Sequence, residues 1–338
     1  MKLIITGAAG FVGYHLTTKF LSLGHKVLGV DNINDYYDVN LKFSRLNELG
    51  IKNFQESEIT ISEKNSLFSF IKLDIDNEEI INTIIRKTKP DLVIHLAAQA
   101  GVRYSITNPK EYVKSNLVGF FNVIDACKKN GIKKFIYASS SSVYGDSLNV
   151  PFLEEMNVDK PISLYASTKR SNELMAYTYS HLYDIQTIGL RFFTVYGPYG
   201  RPDMAYFSFT KAVLNNESIQ VFNEGNLSRD FTYIDDIVNG IQLLSDEMFS
   251  SDSKLEKFEL LNIGNSSPIK LLTFINTIEE IVGKKANLNF VSMQAGDVHN
   301  TYASVNKLLE KVNYKPNTTL RDGLTKFIEW YKNYYNDK

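Results

Sequence analysis

Leu3-Ile4-Ile5-Thr6-Gly7-Ala8-Ala9-Gly10-Phe11-Val12-Gly13 is the stretch that decides the fold. A short apolar run, readable as a strand, leads directly into glycines at every third position, and these open a helical pattern over Phe11–Leu23. Phe11, Leu16, Phe20 and Leu23 can share one face of that helix, and Gly24 stops it. In such a turn Gly7 permits a tight reversal and Gly10 lets the backbone approach a pyrophosphate. Gly13 lets helix and strand pack closely, and the helix N-terminus, with Phe11 and Val12, favours the anion. Gly-x-x-Gly-x-x-Gly in this setting points to a dinucleotide.

Outward from this turn, apolar strands alternate with helices. Lys26–Val30, Phe68–Leu73, Asp91–Leu96 and Lys134–Ala138 read as strands, and Asn116–Asn130 as a helix closed by Gly131. Strands apolar throughout and separated by helices predict a parallel sheet covered on both faces. The fold class expected is α/β: a Rossmann-type doubly wound sheet with a smaller mixed α/β C-terminal lobe. Residues 1–190, with about 231–264 returning, would form the dinucleotide domain; 191–230 and 265–338 would form the second lobe. Phe231–Leu244 reads as a helix and Phe258–Ile263 as a strand. The segment Asn32–Lys64 is polar and lacks clear strands, as a surface excursion would.

Asp31 ends the second strand, where a carboxylate can accept the ribose diol and repel a 2′-phosphate, favouring NAD. Asn32 follows it. Asp74-Ile75 follows the third strand, beside the expected adenine edge, and Leu96-Ala97-Ala98-Gln99 supplies small residues against which a dinucleotide can lie.

Composition narrows the classes. Of 338 residues, 37 are Lys or Arg and 38 are Asp or Glu, so net charge is −1 and no chain-wide basic field for nucleic acid exists. A single cysteine, Cys127, excludes an intramolecular disulfide framework and reads as buried filler. The five histidines lack metal-ligand spacing, so no metal is expected, and His95 reads as packed in its strand. No apolar run reaches the ~18 residues of a membrane span and no signal peptide is read, so a soluble, cytoplasmic protein is expected.

Tyr165 and Lys169 form a Tyr-x-x-x-Lys pair, one helical turn apart. A phenol with its ordinary pKa of ~10 is a poor base at neutral pH, but a neighbouring ammonium would lower it. The pair gains specificity beside the glycine turn and Ser139-Ser140-Ser141-Ser142-Val143-Tyr144-Gly145 at a strand end.

With these segments, the chain resembles the extended short-chain dehydrogenase/reductases over nearly its whole length, most closely the nucleotide-sugar 4-epimerases acting on UDP-glucuronate. The resemblance also rests on Asp31–Asp38, His95–Arg103, Arg191–Pro198, Gly200–Met204 and Arg229–Asp236. It implies NAD as a bound cofactor, with Ser140, Tyr165 and Lys169 as the triad. Tyr165 would take the proton from the sugar O4, and Lys169 would hold the nicotinamide ribose.

Related dehydratases place an Asp-Glu pair where this chain has Ser141-Ser142, and related decarboxylases carry Glu at the place of Ser142. Hydroxyls cannot do the work of those carboxylates but can bind a substrate carboxylate. Galactose-type epimerases carry Asn at the place of Thr194. Ser141, Ser142, Thr194 and Arg201 are therefore expected at a uronate carboxylate, Arg201 through two parallel bonds. Arg229 is expected at the diphosphate, Asp297 at the uridine end, and Lys211 and Arg103 along the nucleotide and sugar. The alternatives are epimerisation of a neutral UDP-hexose or UDP-N-acetylhexosamine, or decarboxylation of UDP-glucuronate. Resemblance further implies a homodimer formed through the Tyr165 helix.

Overall fold

The computed structural model describes residues 1–293 and 298–336. The strands, in chain order, are β1 (Lys2–Thr6), β2 (Lys26–Asp31), β3 (Ile59–Ile61), β4 (Phe68–Lys72), β5 (Leu92–His95), β6 (Lys134–Ser140), β7 (Gln186–Phe192), β8 (Thr194–Tyr196), β9 (Ser218–Phe222), β10 (Ser228–Tyr233), β11 (Phe258–Ile263), β12 (Pro268–Lys270) and β13 (Asn287–Val291). Eight of them form one sheet in the order β11-β7-β6-β5-β1-β2-β4-β3. Every neighbouring pair is parallel except β3 with β4. This is the Rossmann-type architecture. The strand order reverses between β1 and β5, and the crevice at such a point is where α/β sheets bind ligands.

Both faces of the sheet are buried, and the period-2 alternation of the strands shows how. Leu3 and Ile5 join one apolar cluster, while Ile4 joins the other. Helix α1 (Phe11–Ser22) packs on the first face; α3 (Glu78–Thr88) and the Phe120–Lys129 helix pack on the second. The Tyr165 helix, Leu164–Tyr183, runs along β6 and β7. Beyond β7 the chain builds a three-stranded sheet, β12-β10-β8, and a two-stranded pair, β13-β9. Among the described residues, no helix is long and apolar enough to cross a membrane.

Four local expectations need correction. Leu23 lies just past α1 and is 45% exposed, because Gly24 turns the chain away from the sheet. The segment 32–64 contains a helix, α2 (Val39–Glu48), capped by the Asp38 carboxylate on the Asn40 N–H, and the edge strand β3. Residues Phe231–Tyr233 belong to β10, and the following helix starts at Ile234. The helix expected from Asn116 begins earlier, as a π-helical stretch over Val113–Gly119. Its wider turn sets Asn116 against Gln99: the Asn116 carboxamide accepts the Gln99 N–H at 2.8 Å and donates to the Gln99 carbonyl at 3.0 Å.

Candidate active site

One large cleft runs along the carboxyl ends of the central strands and into the second lobe. At one end lies the glycine turn. Gly7 has φ +75°, and a Cβ there would come within 2.8 Å of the Ala97 nitrogen. A Cβ on Gly13 would lie 2.0 Å from the Gly7 carbonyl oxygen. Gly10 precedes α1 with no side-chain cap, so the first N–H groups of the helix keep their positive field for an anion.

Asp31 is 7% exposed and holds the turn: Oδ2 accepts from Ala9 N–H at 3.1 Å and Oδ1 from Ile33 N–H at 2.9 Å. Each oxygen keeps a lone pair for a ribose hydroxyl. Asn32, Ile75 and the run Leu96–Gln99 line the same end of the cleft, as do Phe11 and Val12. The close backbone approach, the uncapped helix start and the cleft-lining Asp31 carboxylate together fit a dinucleotide without a 2′-phosphate. Asp74 lies off the lining, where it accepts from Asn32 Nδ2 and pairs with Lys114, each at 3.2 Å.

The catalytic candidates meet midway along the cleft. Ser140 ends β6 and caps a short 3₁₀ turn over Ser141–Tyr144. Its Oγ accepts from the Ser142 N–H at 3.2 Å and the Ser142 hydroxyl at 2.9 Å. Both lone pairs being used, its own proton is left to favour the Tyr165 anion. Burial raises the Tyr165 phenol above its ordinary pKa; the Ser140 hydroxyl and the Arg201 charge oppose that rise.

Lys169 stands one turn after Tyr165 on the same helix. The ammonium donates to the Ala138 carbonyl at 2.8 Å and sits 5.9 Å from the Tyr165 ring centroid. Burial lowers Lys169 from 10.5 to about 8. Arg201, in the loop after β8, adds a positive charge that lowers the phenol.

Arg201 reaches the cleft from that loop, but its two-pronged grip is engaged. Nε and Nη2 meet Asp203 at 3.0 and 2.5 Å, and the Tyr36 hydroxyl donates to the same carboxylate at 3.0 Å. Asp203 and Tyr36 were not singled out as site residues; their place in the quoted motifs was the available signal. Thr194, Ser141, Ser142, Arg103 and Arg229 all line the cleft. Arg103 lies over the Phe222 ring at 5.1 Å, and Arg229 Nη1 donates to the Ser228 and His299 carbonyls. Lys211 is exposed and off the lining, on the outer side of the helix Ala205–Asn215. Asp297 lies outside the described residues.

His95 is buried between Phe120 and Phe135, with Nδ1 on the Thr6 hydroxyl at 2.8 Å, and burial lowers it to about 3. Cys127 is buried and its thiol is pushed well up.

Residues 3–264 match the model of the NAD-dependent epimerase/dehydratase family. The chain belongs to this family. It is 48% identical to protein CapI of Staphylococcus aureus, over 99% of both chains. It is 41% identical to a probable UDP-glucuronate 4-epimerase of Rhizobium meliloti, over 99% of this chain and 98% of that one. A UDP-glucuronic acid 4-epimerase from Bacillus cereus, solved with UDP-glucuronic acid and NAD, superposes with TM-score 0.89 at 34% identity, covering 99% of this chain and 100% of its own.

Proposed function

We propose that the protein is an NAD-dependent isomerase that interconverts UDP-glucuronate and UDP-galacturonate through a transient 4-keto sugar. One observation carries this reading. Beside Tyr165 the cleft offers hydroxyls and a guanidinium but no free carboxylate: among the described residues its acids are Asp31, at the ribose end, and Asp203, held by Arg201. Dehydration would need an acid–base pair near C5 and C6, and these are missing. Neutral-sugar epimerisation would leave Arg201 without a task at the sugar.

When bound, NAD would supply the hydride acceptor and donor for C4 of the sugar. Tyr165 accepts the O4 proton as the C4 hydride departs and gives it back on return, so protons and electrons balance over the cycle. The Ser140 hydroxyl favours the anionic form of the phenol against the effect of burial. Lys169, with one N–H on Ala138, keeps two for the nicotinamide ribose. The 4-keto uronate is a β-keto acid that readily loses CO2. Ser141, Ser142 and Thr194 hold its carboxylate, with Arg201 supplying charge from its seat on Asp203. Arg229 and Arg103 meet the diphosphate and the sugar.

On this reading residues 1–190 and about 231–264 bind NAD, while 191–230 and 265–338 bind the UDP-sugar. The enzyme acts in the cytoplasm, where nucleotide sugars are made. It pairs as a homodimer through Val118, Phe121, Leu174 and Tyr177, which are 42–55% exposed on neighbouring helices. Sedimentation of a Leu174→Lys, Tyr177→Lys variant would give monomers; an unchanged dimer refutes that face.

The test is incubation of purified protein with UDP-glucuronate, without and then with NAD, followed by chromatography. UDP-galacturonate supports the reading. UDP-pentose with CO2 would show that the hydroxyls do not guard the carboxylate, and turnover of UDP-glucose alone would overturn the uronate specificity.

A further inference from the structure

We propose that Arg45 is a positioning residue that couples the dinucleotide turn to the loop carrying Arg201, and that its charge is balanced by the dinucleotide's diphosphate. The Arg201 half of this inference rests on the substrate reading above; the dinucleotide half does not.

Arg45 projects from α2 and is 0% exposed. Its planar fork bridges two segments that never meet directly in sequence. On one side Nη1 donates to the Ala9 carbonyl at 2.8 Å, inside the glycine turn, and to the Tyr37 hydroxyl at 2.7 Å. On the other side Nε and Nη2 both donate to the Tyr199 carbonyl, at 3.1 and 2.6 Å, and Nη2 reaches Gly200 O at 3.4 Å. Arg201 is the next residue, its own N–H fixed on the Tyr206 hydroxyl at 2.9 Å.

The Tyr199 backbone is in the left-handed region, φ +56°, where a non-glycine residue is strained. The doubled bond to its carbonyl offsets that strain. His15 adds a contact between His15 Nε2 and the Pro198 carbonyl at 2.9 Å. Ala9 is clamped from both sides, N–H on Asp31 and carbonyl on Arg45. A shift of the turn is thereby transmitted to Arg201 through one rigid fork.

Arg45 also carries a buried charge. Among the described residues no carboxylate lies within ion-pair distance of Arg45; every acceptor is a carbonyl or a phenol. Glu48, one turn along α2, is exposed. A buried cation satisfied only by neutral acceptors is costly unless an anion sits nearby. Across the Ala9–Gly10 turn lies the uncapped start of α1, the anion site of the fold. The diphosphate at that site is the counter-charge, felt through the turn without direct contact.

The test compares wild type, Arg45→Lys and Arg45→Gln as full-length protein stripped of cofactor. NAD binding is measured by titration calorimetry. UDP-glucuronate binding is measured on the NADH complex, in which no hydride acceptor is present and the ligand is not turned over. Lysine keeps the charge but not the planar fork. NAD affinity is therefore expected within about threefold of wild type for Lys and weakened about tenfold or more for Gln. UDP-glucuronate affinity is expected to fall about tenfold in both.

NAD binding by the Gln variant at wild-type strength overturns the charge argument. Wild-type UDP-glucuronate affinity in the Lys variant overturns the coupling. If wild type itself does not bind UDP-glucuronate, the substrate reading falls while the NAD comparison still decides the rest. Should the variants not fold, hydrogen exchange on wild type decides: NAD must slow exchange at the Arg201 amide, and unchanged exchange refutes the link.

Discussion

Lys169 is buried, 4% exposed, with its ammonium on one backbone carbonyl and a pKa lowered from 10.5 to about 8. That has a measurable effect on stability in the cofactor-free protein. Between pH 8 and 10.5 the unfolded chain keeps the lysine proton while the folded chain has released it, so the unfolded state binds more protons and stability rises with pH. The destabilisation from ionised Lys169 is fully present below pH 8 and disappears as pH passes 10.5. At ~1.4 kcal/mol per tenfold, the fall from 10.5 to about 8 corresponds to about 3 kcal/mol in all. About 2.5 kcal/mol of it is recovered between pH 7 and pH 10. Lys169→Met removes the titration and also one hydrogen bond worth ~1 kcal/mol at every pH. Urea denaturation of wild type and Lys169→Met at both pH values isolates the lysine, since all other titrations are shared. The variant's stability relative to wild type should fall by about 2.5 kcal/mol on going from pH 7 to pH 10. A difference that stays constant to within ~0.5 kcal/mol would refute the buried-ammonium argument.

Gly13→Ala would place a methyl 2.0 Å from the Gly7 carbonyl oxygen, forcing the turn open. NAD affinity should drop ~30-fold or more, for about 2 kcal/mol of strain; calorimetry showing wild-type affinity would count against the turn as the NAD site. Arg201→Ala removes a charge that lowers the Tyr165 phenol. With the phenolate as base, as proposed, the acid limb of the kcat profile should move to higher pH; an unmoved limb means the phenol does not sense Arg201. Glu173 binds Arg191 through both oxygens, at 2.9 and 3.0 Å, and accepts from Ser139 at 2.6 Å, all out of water. Glu173→Gln should cost about 3 kcal/mol in urea denaturation, and a loss below ~1 kcal/mol would show that the pair contributes little.

What the sequence disclosed well was chemistry carried by local spacing. The glycine turn, the Asp31 strand end, the serine run and the Tyr165/Lys169 turn of helix each lie within a few residues, and the cleft brings them together. Contacts between distant segments were hidden. Nothing in Gly200–Met204 shows that Arg201 meets Asp203 while Tyr36, from another part of the chain, donates to that carboxylate. Lys211 misled because a helical lysine beside aromatic residues reads equally as facing in or out; Tyr206, Phe207 and Val213 take the buried face and leave it to solvent.

Helix α2 shows the physical reason most clearly. Its buried face is Leu41, Lys42, Arg45 and Leu46, so half of its inward positions are cationic. A pattern reading assumes that burial selects apolar side chains, and here it returns a polar excursion. The assumption fails because only part of this face, Leu46, joins the apolar core. Lys42 lines the cleft with Nζ on Asn34, and Arg45 holds carbonyls from two segments. Burying such groups costs stability unless acceptors are already in place. Those acceptors belong to the glycine turn and the Tyr199–Gly200 loop, so the helix can form its contacts only when both are in position. A segment that looks like an insertion in the sequence is therefore where the glycine turn and the Arg201 loop are joined.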